Sequence, residues 1–465
     1  MSRLVVVSNR VSVPGPRDKA AAGGLAVALH AALSKYDGIW FGWSGKVVDS
    51  ATAQLDIVKS QSVTIATTDL SRDDYEEYYN GFANSTLWPL FHYRIDLTNY
   101  DRRFDKGYFR VNNRFAHAIT PMLEDDDLIW VHDYHLIACA EEMRRMGVRN
   151  RIGFFLHIPF PAPQVLLTLP NHQAIVRALF AYDLVGFQTL PDLLAFQDYV
   201  VYEAGGDVAE DGRLTAFGRT IRADVFPIGI DADDMAEMAY SPEAVRHYDR
   251  MVRSMGGRKL IIGVDRLDYT KGLPQRLMAF ERLLRTYPSN RGNVSLLQIA
   301  PSSRPDVIDY VDIREELEAN AGRINGAYAD FDWVPVRYVN RSYARRSLAG
   351  LFRASRVALV TPLRDGMNLV AKEFVACQDP DDPGVLVLSR FAGAARQLDE
   401  ALIVNPHDMD DVVDAMQKGL HMPQEERKER FEQLSQNVAS ENVANWRDDF
   451  VQALRETPGA DMAVA

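Results

Sequence analysis

Residues 259–277 read KLIIGVDRLDYTKGLPQRL. The run Leu260 to Val264 is short, apolar and free of charge, as a strand buried on both faces must be. Gly272 and Pro274 then open a helix, because the N–H that proline lacks has no partner in a first helical turn anyway. Between strand and helix lies a loop carrying Arg266 and Lys271. Cations are disfavoured at a helix N-terminus, so two of them five residues apart point to a phosphate that compensates them; the plainer alternative is two solvated surface charges. Strand, loop and helix in this order are the unit of a parallel sheet covered by helices.

The same grammar runs outward in both directions. Upstream, strands are expected at Leu4 to Ser8, Ile39 to Trp43, Leu128 to Asp133, Gly153 to His157, Leu184 to Gln188 and Val225 to Gly229. Downstream they are expected at Val294 to Ile299, Val334 to Tyr338, Val357 to Thr361, Val385 to Leu388 and Leu402 to Val404. A polar helical stretch between the halves puts a boundary near Asp231 to Ser241. The fold class is α/β, with two doubly wound domains, 1–235 and 236–465. The tail from Pro423 to Leu454 reads as two helices that are candidates to return to the first domain. Ligands of such sheets bind at the carboxyl ends of the strands, so two domains facing across a cleft would share one active site there.

The 465 residues hold 52 basic and 64 acidic side chains, a net charge of −12 that disfavours general attraction to nucleic acid or an anionic membrane. An anionic ligand must therefore find a local basic pocket. Only two cysteines occur, Cys139 and Cys377, with no further Cys or His at metal-ligand spacing, so both read as buried reduced thiols. The apolar run in MSRLVVVSNR is too short for a signal peptide, and no window approaches the roughly 18 apolar residues of a membrane span. A cytoplasmic location is expected. Homo-oligomerisation stays open.

Several chemistry-bearing residues fall just after strands. Arg304 follows QIAPSS and suits a second phosphate. In VALVTPLRDGMNLVAKEF, Asp365 either caps a helix or accepts from sugar hydroxyls, and the amides of Asn368 to Val370 offer donors to a diphosphate. Glu373 lies further into that helix and could reach a ribose, so Asp365 and Glu373 are a poor match for the paired carboxylates of a retaining glycosidase. Near the N-terminus, Arg10 comes just after the first strand and the pair Gly23 and Gly24 opens a helix, where backbone amides could approach a phosphate or sugar. The plainer readings, a surface ion-pair residue and simple turn chemistry, are the commoner ones for such residues. The aromatic stretch EEYYNGFANSTLWPLFHYR places Tyr79 and Trp88 either against a sugar face or in a core. Asp133 sits between His132 and His135. It reads better as a hydroxyl acceptor than the histidines do as metal ligands, for want of a third ligand. His157, beside Ile158 before a proline-rich loop, is either a core histidine or a site residue.

Taken together, GGL, FGWSG, LWPLFHYR, WVHDYH, FFLHIPFP, GFQT, RLDYTKG, RINGAY, TPLRDGMNLVAKE and LSRFAGAA resemble the trehalose-6-phosphate synthase family, in one collinear order from Met1 to Asp408. The resemblance implies two Rossmann-like domains in the arrangement called GT-B. It implies transfer of glucose from UDP-glucose to glucose 6-phosphate with retention, with neither metal nor cofactor. By that resemblance Arg10, Tyr79, Asp133 and Arg304 hold the acceptor, the two arginines on its phosphate. Gly23, Gly24, Arg266, Lys271, Asp365 and the run Leu369, Val370, Ala371, Lys372, Glu373 hold the donor. Trp88 and Ile158 match positions tied to selection of the α-anomer, His157 a position beside the donor glucose, and Tyr343 a stacking position at the uridine. Reaction on the front face, with the leaving phosphate taking the acceptor's proton, comes from the same likeness. Two rivals remain: a related synthase or pseudo-glycosyltransferase with another acceptor, and a non-catalytic subunit that senses sugar phosphate.

Overall fold

In the computed structural model, which describes residues 3–11, 33, 38–52, 54–60, 63–302 and 308–458, uninterrupted apolar runs become inner strands. The chain divides into two compact units, Met1–Pro227 with Ala444–Ala465, and Ile228–Val443. The sequence boundary at 235/236 falls inside the helix Ala232–Ala239, which packs on the helices Arg345–Arg353 and Leu369–Ala376 of the second unit.

The first unit is built on ten described strands: β1 (Leu4–Arg10), β2 (Ile39–Val48), β3 (Asp56–Ser60), β4 (Val63–Ser71), β5 (Leu128–His132), β6 (Ile152–Phe155), β7 (Leu184–Phe187), β8 (Asp207–Val208), β9 (Arg213–Ala216) and β10 (Arg219–Val225). They lie in the order β3-β4-β2-β1-β5-β6-β7-β10-β9-β8. From β4 to β10 every pair is parallel; β3, β8 and β9 add antiparallel edges. The strand expected at Val225 to Gly229 lies earlier, at Arg219–Val225, because Pro227 has no N–H for a ladder and the mostly polar stretch Arg219 to Arg222 pairs with the antiparallel strand β9. The last helix, Val443–Glu456, covers this sheet. Its Phe450 stacks on Trp130, ring centroids 4.5 Å apart, and its Trp446 lies 4.8 Å from the same ring.

The second unit holds β11 (Lys259–Val264), β12 (Val294–Ile299), β13 (Val336–Val339), β14 (Val357–Val360), β15 (Val385–Ser389) and β16 (Leu402–Val404), ordered β13-β12-β11-β14-β15-β16 and all parallel. Counted by appearance this order is 3-2-1-4-5-6, the dinucleotide-binding arrangement, whose switch point lies between its first and fourth strands. Here that point lies between β11 and β14. The first unit repeats the order in its inner strands, with its switch point between β1 and β5. Connections leave a crevice at such a point, so the loops after β11, β14, β1 and β5 are where each unit can bind a ligand.

Candidate functional site

In the second unit the loop after β11 is held from behind by a buried ion pair. Arg276, 1% exposed, donates from Nη1 to Asp265 Oδ2 (2.7 Å) and Gln298 Oε1 (3.0 Å), and from Nε to Thr361 Oγ1 (3.1 Å). Burial raises the Asp265 carboxyl, and Arg276 and then Lys271 oppose it. Asp268, fully buried, accepts from Thr270 N–H (3.0 Å) and Tyr310 O–H (3.0 Å), closing the turn that presents Lys271. Gly272 takes φ +65°, and a Cβ there would meet the Thr361 carbonyl at 2.6 Å, so the two loops touch only because this residue is glycine. Leu363 N–H donates across to Thr270 O (2.8 Å).

The result at the switch point is an ion pair. Lys271 Nζ lies 2.5 Å from Asp365 Oδ2, with side chains 10% and 14% exposed. The same oxygen accepts from Asn368 Nδ2 (3.0 Å), and Asn368, at φ 76°, caps the helix Leu369–Ala376 by accepting from Ala371 N–H (3.3 Å). A left-handed non-glycine residue held on both sides is a strained element that its neighbours maintain. Arg266 is exposed on the same loop. One turn along the helix, Glu373 meets Arg345 at 3.4 Å; burial raises its carboxyl and Arg345 opposes this. The Lys372 side chain turns the other way, into the unit. It is fully buried, donates to Ile228 O (2.8 Å) and is pushed down by burial to about 8, so only its backbone is left for a ligand. Leu369 and Val370 are half-buried and Ala371 is buried. Tyr343, its hydroxyl accepting from Arg341 Nη2 (2.7 Å), lines a cavity of about 260 Å³ floored by Leu297, Ile299 and Val339.

In the first unit the switch point is furnished with rings. Residues Tyr75–Leu87 form a π-helix, in which i→i+5 bonding widens the turn; the Trp88 N–H accordingly reaches Ala83 O. Tyr79 lies between Tyr75 (5.4 Å, planes 21° apart) and His135 (5.9 Å, 14°), with Trp43 against it at 5.3 Å. The exposed Arg10 guanidinium lies 5.7 Å over that Trp43 ring, and Gly45 (φ +90°) leaves it room: a Cβ would come within 2.8 Å of Nε. Asp133 adopts φ 74° and ψ 164° at the end of β5, a conformation nearly confined to glycine. Its N–H donates to Phe155 O (2.8 Å), and its Oδ1 accepts from His157 N–H (3.2 Å). Trp88 and Ile158 are buried, Trp88 against His92 at 4.2 Å and Tyr134 at 5.6 Å.

The two switch points thus differ, one built on an ion pair and one on rings. The model of glycosyltransferase family 20 matches residues 2–456. The chain belongs to glycosyltransferase family 20. A trehalose-6-phosphate synthase of Sinorhizobium fredii (strain NBRC 101917 / NGR234) is 53% identical over 456 residues, 98% of either chain. A Burkholderia xenovorans α,α-trehalose-phosphate synthase (UDP-forming), solved with glucose-6-phosphate, superposes with a TM-score of 0.94 at 53% identity, covering 98% of this chain and 100% of that one. An E. coli structure bound with UDP-2-fluoro glucose also reaches 0.94, at 46% identity and the same coverage.

For this family 20 chain, the structure brings Lys271 and Asp365 into contact, gathers Asn368 to Glu373 on one helix start, and sets Arg10, Tyr79 and Asp133 around the other switch point. Gly23, Gly24 and Arg304 lie outside the described residues. The sequence reading missed Asp265, Arg276, Asp268 and the side chain of Asn368, of which it had named only the backbone amide. One signal was available: Arg276 shares a helix face with Leu273, Leu277 and Phe280, and a cation among apolar residues just after a phosphate-type loop asks for a buried partner. Among the described residues no group of three or more His, Cys, Asp and Glu could hold a metal, and no helix is long and apolar enough to cross a membrane.

Proposed function

We propose that this chain transfers glucose from UDP-glucose to glucose 6-phosphate with retention, yielding α,α-trehalose 6-phosphate and UDP. The observation that carries the reading furthest is the Lys271–Asp365 pair at the switch point of a nucleotide-binding sheet. A diphosphate there meets an ammonium already held by buried groups, which need not reorganise when charge develops. Arg266 and Lys271 take the diphosphate together with the amides of Leu369 and Val370 at the start of the Leu369–Ala376 helix. Asp365 meets the transferred glucose, Glu373 the ribose, and the Tyr343 cavity the uracil. On the acceptor side Arg10 and Arg304 bind the phosphate and Tyr79 and Asp133 the sugar, with Trp88 and Ile158 shaping the α-face and His157 beside the transferred glucose.

In the chemical step the bond from glucose C1 to the diphosphate oxygen breaks, and a bond forms from C1 to the anomeric oxygen of the acceptor on the same face. The acceptor proton passes to the departing diphosphate. Lys271 and Arg266 stabilise the charge that grows on UDP, and ordering of the two substrates supplies much of the rest. Two buried free thiols and the absence of a membrane-crossing helix among the described residues fit a cytoplasmic setting. The test is UDP release from a panel of nucleotide sugars against a panel of acceptors, with EDTA present. UDP-glucose with glucose 6-phosphate should stand far above every other pair; equal release with glycerol 3-phosphate, or none with any acceptor, would overturn the assignment.

A further inference from the structure

The ends of β5 and β6 are joined by more than their ladder. Beyond the two bonds of Asp133, His132 Nδ1 lies 3.0 Å from His157 Nε2, with the ring centroids 5.3 Å apart. The walls around this pair are aromatic. Trp130 lies 4.5 Å from His132, Phe155 lies 4.7 Å from His157, and Trp446 of the last helix closes the back at 6.3 and 6.0 Å. His132 is 1% exposed, and its Nε2 has no hydrogen-bond partner among the described residues. Burial holds both rings neutral: His157 is pushed down to about 3, and His132 well below its ordinary value, with His157 adding to the effect.

Two neutral imidazoles sharing one bond must divide the roles, one donating and one accepting. The His157 Nδ1 is the nitrogen left over, on a residue that is partly exposed. Its character is therefore slaved to the proton on His132. If His157 donated, His132 would strand an N–H on Nε2 inside the aromatic walls, and orphaned buried donors are the rarer fault.

We propose that His132 is a positioning residue: it donates from Nδ1 to His157 Nε2, and so fixes the tautomer in which His157 offers an Nδ1–H to a sugar oxygen. The assignment rests on the reading that places His157 beside the transferred glucose, while the proton placement within the pair stands apart from it.

Two measurements test it. Nitrogen-15 NMR of the histidine-labelled chain at about pH 6 to 8, with His132→Asn and His157→Gln to assign the signals, should show both rings neutral and His157 protonated on Nδ1. Protonation of His157 on Nε2 overturns the proposal, whether or not the chain transfers glucose. In steady-state assays His132→Leu should lower kcat about ten-fold, with KM for glucose 6-phosphate unchanged, as one lost hydrogen bond allows. His132→Asn, whose amide nitrogen falls near the former Nδ1, should recover most of that loss. A folded His132→Asn as slow as His132→Leu would leave the ring a filler and sink the positioning role. Should His132→Leu fail to fold, the NMR result and the His132→Asn rate against wild type decide alone. A wild-type chain with no transfer activity but the expected tautomers would strike the functional reading and spare the pairing.

Discussion

Where β11 and β14 part, Lys271 meets Asp365 at 2.5 Å with Arg276 and Asp265 buried behind them. Where β1 and β5 part, Tyr79 is stacked between Tyr75 and His135, and His132 meets His157. The two sheets share strand order in their inner part and differ in what they place at the same topological point. Opposite charges out of water are strong only when each is matched, so an anion that reached Lys271 would have to compete with Asp365 for it. Stacked rings carry no net charge and define a shape, which suits the faces of a sugar.

The contrast is easiest to break at Arg276. Replacing it by leucine leaves Asp265 buried without its cation, a loss on the order of 3–5 kcal/mol. The expected outcome is a large fall in Tm, and a melting point close to wild type would show that the charged layer is not what holds these loops. Next comes Lys271→Ala. If the ammonium acts on the leaving diphosphate, kcat should drop by about 10²–10³ while donor affinity changes far less. An isothermal titration showing the whole loss in UDP-glucose binding, with kcat intact, would reduce Lys271 to a ground-state contact.

On the aromatic side the effects are smaller. Tyr79→Ala removes one ring from the stack and should raise KM for glucose 6-phosphate about ten-fold, as stacking worth about 1 kcal/mol and a lost hydroxyl contact predict. A change confined to the UDP-glucose KM would place Tyr79 on the donor side and blur the contrast. The last effect concerns pH. The folded-state values of His132 and His157 lie below those of the unfolded chain, so the unfolded state takes up protons first as pH falls. The stability they contribute is complete above about pH 6.5 and drains away below it, towards about 3 for His157, on the order of 1 kcal/mol per pH unit for each ring. Chemical denaturation between about pH 7 and 5 should show a shallower decline in His132→Asn than in the wild type, and equal slopes would remove the rings from the account.

Much of the parallel framework was legible because buried strands announce themselves: Val294 to Ile299 and Leu402 to Val404 coincide with β12 and β16, and Leu260 to Val264 misses one residue of β11. The edges were not. β3 reads DIVKS, with exposed residues on both faces, and β8 spans two residues, so neither has the apolar run that marks an inner strand. Strand-end residues stood out because sheets of this class bind ligands at their strands' carboxyl ends, which is why Lys271, Asp365, Arg10 and Asp133 were singled out. Their supports did not stand out. Arg276 pairs with Asp265 eleven positions earlier, and Tyr310 with Asp268 forty-two earlier, and no local pattern records such meetings. The π-helix at Tyr75–Leu87 also left no trace, since its residues suit an α-helix equally well and packing decides between the two.

The return of the last helix carries a consequence for how the molecule is made. Arg151 Nε donates to Thr457 O (2.8 Å), a bond spanning 306 positions, and Trp446 and Phe450 cover Trp130 in the middle of the first sheet. On the ribosome, residues 228–443 emerge in full before those three groups exist, and domains fold as their sequence becomes available. The unit that begins first is therefore sealed last. Until residues 444–457 emerge, the face that carries Trp130 and His132 lacks Trp446 and Phe450, and ribosome-held chains ending at about residue 440 should expose it to proteases that the longer chain resists.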